Sequence, residues 1–225
     1  MTLPMTADQF LAALRTEGCQ VREHRHWRTH HRNRQGPWGG VYGVMIHHTA
    51  SSGPLASVEL CYDGRPGLPG PLCHSMGTKD GLIYMVGQGR TNHAGLGDPL
   101  VLQAVIEERS PLPLNRQATT DGNARFYDLD LVNRGTGTDP WPETQLDAAV
   151  RWAAALCRRH GWTERSVIGH KEWQPGKVDP AFVMDGFRAR VRARLHSHRM
   201  TTGDTLWGIA RRYATETANL RRRTG

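Results

Sequence analysis

The sequence predicts an α/β fold, a mixed central β-sheet flanked by helices, followed by a small C-terminal segment. Three observations lead there. Strand-like and helix-period segments alternate along residues 41–195, the pattern of strands covered by helices. Val44, Met45 and Ile46 form a continuous apolar run, as in a strand buried on both faces. The chain has 225 residues, 38% hydrophobic and 22% charged, enough for one sizeable domain plus a small appendage.

Thr6 precedes a stripe of Phe10, Leu11 and Leu14 and is placed to cap a first helix, which Gly18 stops. The stretch "VREHRHWRTHHRNRQGPWGG" is basic and histidine-rich without periodicity, so irregular chain is expected up to residue 40. A metal reading of His24, His26, His30 and His31 finds no regular element to order them; solvated imidazoles account for them. "VYGVMIHHTA" is the buried strand. Leu55, Val58, Cys61 and Tyr62 fit a short helix ended by Gly64. After the turn-rich "GRPGLPGP", the strands "LCHSMG" and "LIYMVG" join through Asp80-Gly81, a hairpin signal.

Asp98-Pro99 opens another helix, with proline at its first position. Ser110 to Arg125 lacks periodicity and is expected to be a long surface loop. "FYDLDLV" alternates, with Tyr127, Leu129 and Leu131 on one face and Asp128 and Asp130 on the other. Pro142 to His160 is a strong amphipathic helix whose stripe includes Leu146, Ala149, Val150, Ala153, Leu156 and Cys157, with Gly161 ending it. "SVIGH" is a short strand, and Phe187, Val191 and Leu195 mark a last helix. The four cysteines (Cys19, Cys61, Cys73, Cys157) are scattered with no CxxC pair and read as reduced, packing thiols.

The formal net charge of +8 is concentrated at one end. Residues 188–225 carry ten arginines against Asp204 and Glu216, which leaves the first 187 residues about neutral. That end is expected to face an anionic partner. No reader motif or aromatic platform accompanies the arginines, so nucleic acid is not the expected one. No apolar run approaches the roughly 20 residues that span a bilayer, so stable membrane insertion is not expected either.

His47 and His170 both fall at carboxyl ends of predicted strands, the edge where α/β sheets build sites. Asp179 follows His170 by nine residues in "GHKEWQPGKVDP", a loop punctuated by glycine and proline. Two imidazoles and a carboxylate suit a catalytic Zn²⁺ with its fourth position open. Spacing by itself does not select three ligands from twelve histidines.

Three ordered motifs, "VMIHHTA", "GPLCHSMGTKDGLIYMVGQGRTNHAG" and "GHKEWQPGKVDP", resemble the zinc-dependent N-acetylmuramoyl-L-alanine amidases of the peptidoglycan-recognition and phage-lysin superfamily. The wording is most similar to lysins of phages that infect actinobacteria, and the resemblance covers roughly Val41 to Arg194. It implies zinc ligation by His47, His170 and Asp179, with Lys177 as an electrophilic lysine. It places Asp130 where many members carry a glutamate general base, and Cys73 where others carry a tyrosine. His48, Thr49, Cys73 and His93 are the implied substrate contacts. The implied partner is peptidoglycan, both muropeptide stem and glycan, with anionic wall polymers met by the basic C-terminus. The alternative on the same fold is a recognition protein that binds muropeptides without cutting them. "TTGDTLWGIARRY" resembles the front of a LysM module, without the closing strand. The expected organisation is therefore an N-terminal helix and basic segment (1–40), a zinc amidase domain (41–195) and a partial LysM-like module (198–225). The N-terminus lacks a secretory signal pattern, so a phage lysin held in the host cytoplasm until its release is expected.

Overall fold

Local chemistry sets the first helix, α1 (Ala7–Thr16), in the computed structural model, which describes residues 2–197 with Thr205 and Arg211. The Thr6 hydroxyl accepts the Gln9 N–H at 3.2 Å, and the Gln9 side chain accepts the Thr6 N–H at 3.1 Å. This reciprocal capping box satisfies two donors that the helix start leaves open. Phe10, Leu11 and Leu14 are buried as the stripe requires.

The chain continues through β1 (Gln20–Glu23), β2 (Gly43–His48), α2 (Pro54–Asp63) and a two-stranded turn, β3 (Gly64–Arg65) with β4 (Leu68–Pro69). Next come β5 (Ser75–Gly77), β6 (Leu82–Met85), β7 (Leu96–Gly97), α3 (Pro99–Ile106), β8 (Thr120–Asp121) and β9 (Phe126–Leu131). The helix α4 (Glu143–His160), β10 (Val167–Gly169), the single turn α5 (His170–Trp173) and α6 (Met184–His196) follow. The helix α4 ends at Gly161, whose φ of 73° is left-handed and suits glycine.

Six strands form one sheet in the order β1-β6-β5-β9-β2-β10. Only β5 and β6 pair antiparallel, through the expected hairpin; the other neighbours are parallel. The sheet is therefore mixed, with helices on both faces, as the alternation of elements predicts. Val44 and Ile46 on β2 join Tyr127, Leu129 and Leu131 on β9 in a core closed by α1, α4 and α6. Met45 and Phe126 face the other way, packing with Val101, Val105, Ile168 and Trp173 of α3, β10 and α5. A third cluster under α2 gathers Val58, Cys61, Tyr62, Cys73, Met76, Tyr84, Val86 and Val132. The chain up to Leu195 is one compact unit, to whose main core α1 contributes.

Two expectations need correction. The basic N-terminal segment is not wholly irregular: Gln20 to Glu23 pairs with β6 as an edge strand, and Trp27 is buried. "QVRE" holds one apolar residue and so no alternation to detect; its charges suit a sheet edge, where they discourage further pairing. Residues 110–119 are the expected, largely exposed loop, but its ends are anchored and residues 122–124 are buried. The Asp98 carboxylate accepts the N–H groups of Leu100, Arg116 and Gln117 at 2.6–2.9 Å, and β8 pairs with β7. The LysM-like segment lies outside the described residues except for Thr205 and Arg211.

Candidate functional site

Strand periodicity decides which side chains meet. Since successive residues of a strand point to opposite faces, Met45 facing α3 and α5 puts His47 on the same side. Phe126 similarly brings Asp128 and Asp130 to that side. The register between β2 and β9 then sets His47 directly opposite Asp130 and Met45 opposite Asp128. His170 follows β10, the strand flanking β2 on its other edge, as the first residue of α5.

Asp179 enters this corner from the loop after α5. Its Oδ2 lies 3.0 Å from His47 Nδ1 and 3.1 Å from His170 Nδ1. Lys171 holds the loop in place: its N–H donates to the Asp179 carbonyl at 2.7 Å, and its ammonium donates to the carbonyls of Pro180 and Phe182 at 2.8 and 2.6 Å. The His170 ring is fixed at its far side too, Nε2 lying 3.2 Å from Gln174 Oε1. Trp173 fixes α5 by lying flat over Gly97, where an added Cβ would come within 2.1 Å of its ring, and by donating Nε1–H to the Ala94 carbonyl at 3.1 Å. One tryptophan thereby joins the His170 turn to the loop carrying His93.

Two nitrogens and a carboxylate oxygen converge here, all within 4.8 Å of one another, in a cleft of about 580 Å³. His48, Thr49, His93, Asp130 and Lys177 line the same cleft. Lys177 is exposed, and the Thr49 hydroxyl accepts from Ser51 at 2.8 Å. The Nδ1 of His48 accepts the Ala181 N–H at 3.2 Å, and its ring stands over Gly135, where a Cβ would meet Nε2 at 2.3 Å. Cys73 lies behind Asp130, its sulfur within 4.8 Å of that carboxylate. It is fully buried in the cluster under α2 and does not line the cleft, which leaves the expected substrate contact without a surface. Its neighbour Cys61 makes the contact with Asp130, Sγ to Oδ2 at 3.9 Å.

The electrostatics follow from burial and the shared carboxylate. Burial opposes ionisation of Asp179, but its bonds to His170 and His47 outweigh that and hold it well below the usual range. Burial would lower His47, yet the Asp179 partner raises it above its ordinary value. For His170 burial wins and lowers it. Burial pushes Asp130 up to about 7, with His47 opposing and Asp128 and Asp179 adding to the rise. Its Oδ1 is buried without a hydrogen-bond partner. Burial also takes His93 well below its ordinary range.

The site contains groups that sequence reasoning passed over. Lys171, Trp173 and Gln174 stand within the quoted "GHKEWQPGKVDP" motif; Lys171 and Gln174 bond within it or just beyond it, whereas Trp173 reaches Ala94 and Gly97 in another part of the chain. Behind His93 sits a fully buried polar cluster of His74, Thr91 and Asp128. Asp128 Oδ1 accepts the His74 N–H at 3.1 Å, the Thr91 hydroxyl at 3.0 Å and the His74 Nδ1–H. Burial disfavours its charge, but His93 and His74 hold it ionised, at about 2. The available signal for this residue was its place on the same strand face as Asp130.

A family model described as N-acetylmuramoyl-L-alanine amidase matches residues 37–182. No curated protein matches the sequence. Among solved structures, the endolysin amidase LysCS from Clostridium intestinale is similar at TM-score 0.51 and 17% identity, over 76% of this chain and 94% of that one. The Staphylococcus aureus hydrolase AmiA, solved with its ligand, is similar at TM-score 0.53 and 12% identity, over 87% and 93%. AmiD from E. coli, solved with anhydro-N-acetylmuramic acid-L-Ala-D-gamma-Glu-L-Lys, is similar at TM-score 0.50 and 17% identity, over 71% and 60%. At these identities the likeness is one of fold.

Proposed function

The chain belongs to the N-acetylmuramoyl-L-alanine amidase family, and on that premise we propose that it is a zinc-dependent peptidoglycan hydrolase. It cuts the amide between the lactyl carbonyl of N-acetylmuramic acid and L-alanine. The observation carrying this reading is the meeting of His47 Nδ1, His170 Nδ1 and Asp179 Oδ2 at the floor of an open cleft. Two imidazole nitrogens and one carboxylate are the donor set of a catalytic zinc site that keeps a fourth position free. A zinc ion held there supplies Lewis acidity to the scissile carbonyl and lowers the pKa of water.

The chain's own groups do the rest. Asp130 stands opposite His47 with a buried, unpartnered oxygen, and it takes the proton of the attacking water and passes it to the leaving amine. A carboxyl pushed up to about 7 is matched to that exchange near neutral pH. The Lys177 ammonium, exposed on the cleft, stabilises the developing oxyanion. His48 and Thr49 line the approach and contact the muropeptide. The presence of all three ligand donors favours cutting over recognition alone. The arginine-rich C-terminus draws the enzyme to anionic wall polymers, and the most similar motifs make a phage lysin the natural role.

Digestion of purified actinobacterial wall tests this reading. It should release new L-alanine amino termini without new reducing sugars, and a chelator should stop it. Reducing ends appearing in step with turbidity loss would make the protein a glycosidase instead.

A further inference from the structure

We propose that Asp128, acting through His93, is a positioning residue for the metal ligand His47. The inference rests on reading His47, His170 and Asp179 as the ligands. His47 turns Nδ1 toward Asp179, and its other nitrogen, Nε2, lies 3.1 Å from His93 Nδ1. An imidazole that ligates through Nδ1 carries its proton on Nε2, so Nε2–H is the donor and His93 Nδ1 the acceptor. His93 must then carry its own proton on Nε2. That nitrogen is buried without a hydrogen-bond partner, as is Asp128 Oδ2, and it lies 3.9 Å from Asp128 Oδ1. The gap exceeds a direct hydrogen bond, and the contact is electrostatic: an N–H edge faces a carboxylate.

Asp128 is itself anchored. It is fully buried, and its Oδ1 accepts from the His74 N–H, the Thr91 hydroxyl and His74 Nδ1. A polar chain therefore runs from His47 through His93 to a fixed carboxylate inside the core. Burying a charge is costly unless it is paired, so an apolar residue would be the cheaper filling of this position. A ligand histidine whose second nitrogen donates to a fixed outer partner, here an imidazole backed by a carboxylate, is held in one tautomer and one ring orientation, and becomes a better donor to the metal. His170 gains its outer partner from Gln174, on its own turn; only the chain behind His47 ends on a buried charge. With Nδ1 committed to His47 and Nε2 facing Asp128, His93 supports the centre rather than gripping substrate.

The test measures Zn²⁺ affinity of the purified full-length chain by competition with a chromophoric chelator, with no substrate present. His93→Phe and the isosteric Asp128→Asn should each weaken zinc binding about ten- to hundred-fold. His93→Gln, whose amide can accept from His47 and donate toward Asp128, should recover most of the loss. The double variant His93→Phe/Asp128→Asn should be no weaker than His93→Phe alone, because both residues lie on one chain. A merely structural cluster would lower thermal stability while leaving affinity, rescue and coupling unmoved. Unchanged affinity in folded His93→Phe, Gln no better than Phe, or fully additive losses would each overturn the inference. Should Asp128→Asn fail to fold, the Phe and Gln pair decides. Zinc binding that survives His170→Ala at full strength would instead overturn the ligand assignment, and this inference with it.

Discussion

Replacing Asp130 with asparagine should make the metal-stripped protein more stable in alkali while removing its activity. Burial raises this carboxyl from an ordinary 3.8 to about 7. Between those values the folded chain keeps a proton that the unfolded chain has lost, so stability falls as pH rises. The favourable contribution is complete below about pH 4 and gone above about pH 7. Three units at 1.36 kcal/mol each set a ceiling of about 4 kcal/mol, and relaxation around the charge brings the expected gain to on the order of 2–4 kcal/mol. Asparagine has the same shape and no proton to lose, so it escapes this cost. Urea denaturation of metal-stripped wild type and Asp130→Asn, run from about pH 4 to pH 8.5, isolates the effect because all other groups titrate in both. The difference should be near zero at pH 4 and reach its full size by pH 8. With zinc restored, kcat should fall about 10²-fold or more. A pH-independent difference, or a variant less stable at pH 8, would refute the buried-charge argument. Wall cleavage at the wild-type rate would remove Asp130 from the chemistry.

Four further expectations test other parts of the chain. His47→Ala, His170→Ala and Asp179→Ala should each lose tight zinc binding and activity together, read by elemental analysis; full occupancy in any one removes that residue from the site. Gly97→Ala forces a Cβ into the Trp173 ring, so it should destabilise the fold by about 1–3 kcal/mol and weaken metal binding through α5. Gly186→Ala, in open space on α6, should be neutral or slightly stabilising, both glycine variants being compared with wild type in a thermal melt. Deleting residues 198–225 should reduce wall sedimentation at low salt and spare turnover of a small soluble muropeptide, since charge attraction fades as the Debye length shrinks from about 10 Å at 0.1 M to about 3 Å at 1 M. Salt-resistant binding that soluble chitin oligomers compete away would show a working LysM module instead.

The sequence by itself determined the elements and the face each one buries, because those signals are local. Thr6 and Gln9 cap α1 from three residues apart, Asp98-Pro99 starts α3, and Gly161 ends α4. Period-two alternation in "FYDLDLV" already separates the apolar face of β9 from Asp128 and Asp130. The three candidate ligands were legible through motif resemblance, although nothing local ties His47 to Asp179, 132 positions away. Where alternation failed, so did the reading: "QVRE" forms a strand because β6 offers it an edge. Only tertiary structure decided what stands behind the site. The parallel register sets Asp130 opposite His47, Trp173 fills the space that Gly97 leaves, and Cys73 goes into the core behind Asp130. The polar chain from His47 to Asp128 joins β2, the His93 loop and β9, and no spacing along the sequence encodes it. Capping and amphipathic periods act within a few residues, whereas hydrogen-bond partners across a sheet are fixed by strand order and register, which exist only once the whole core has packed.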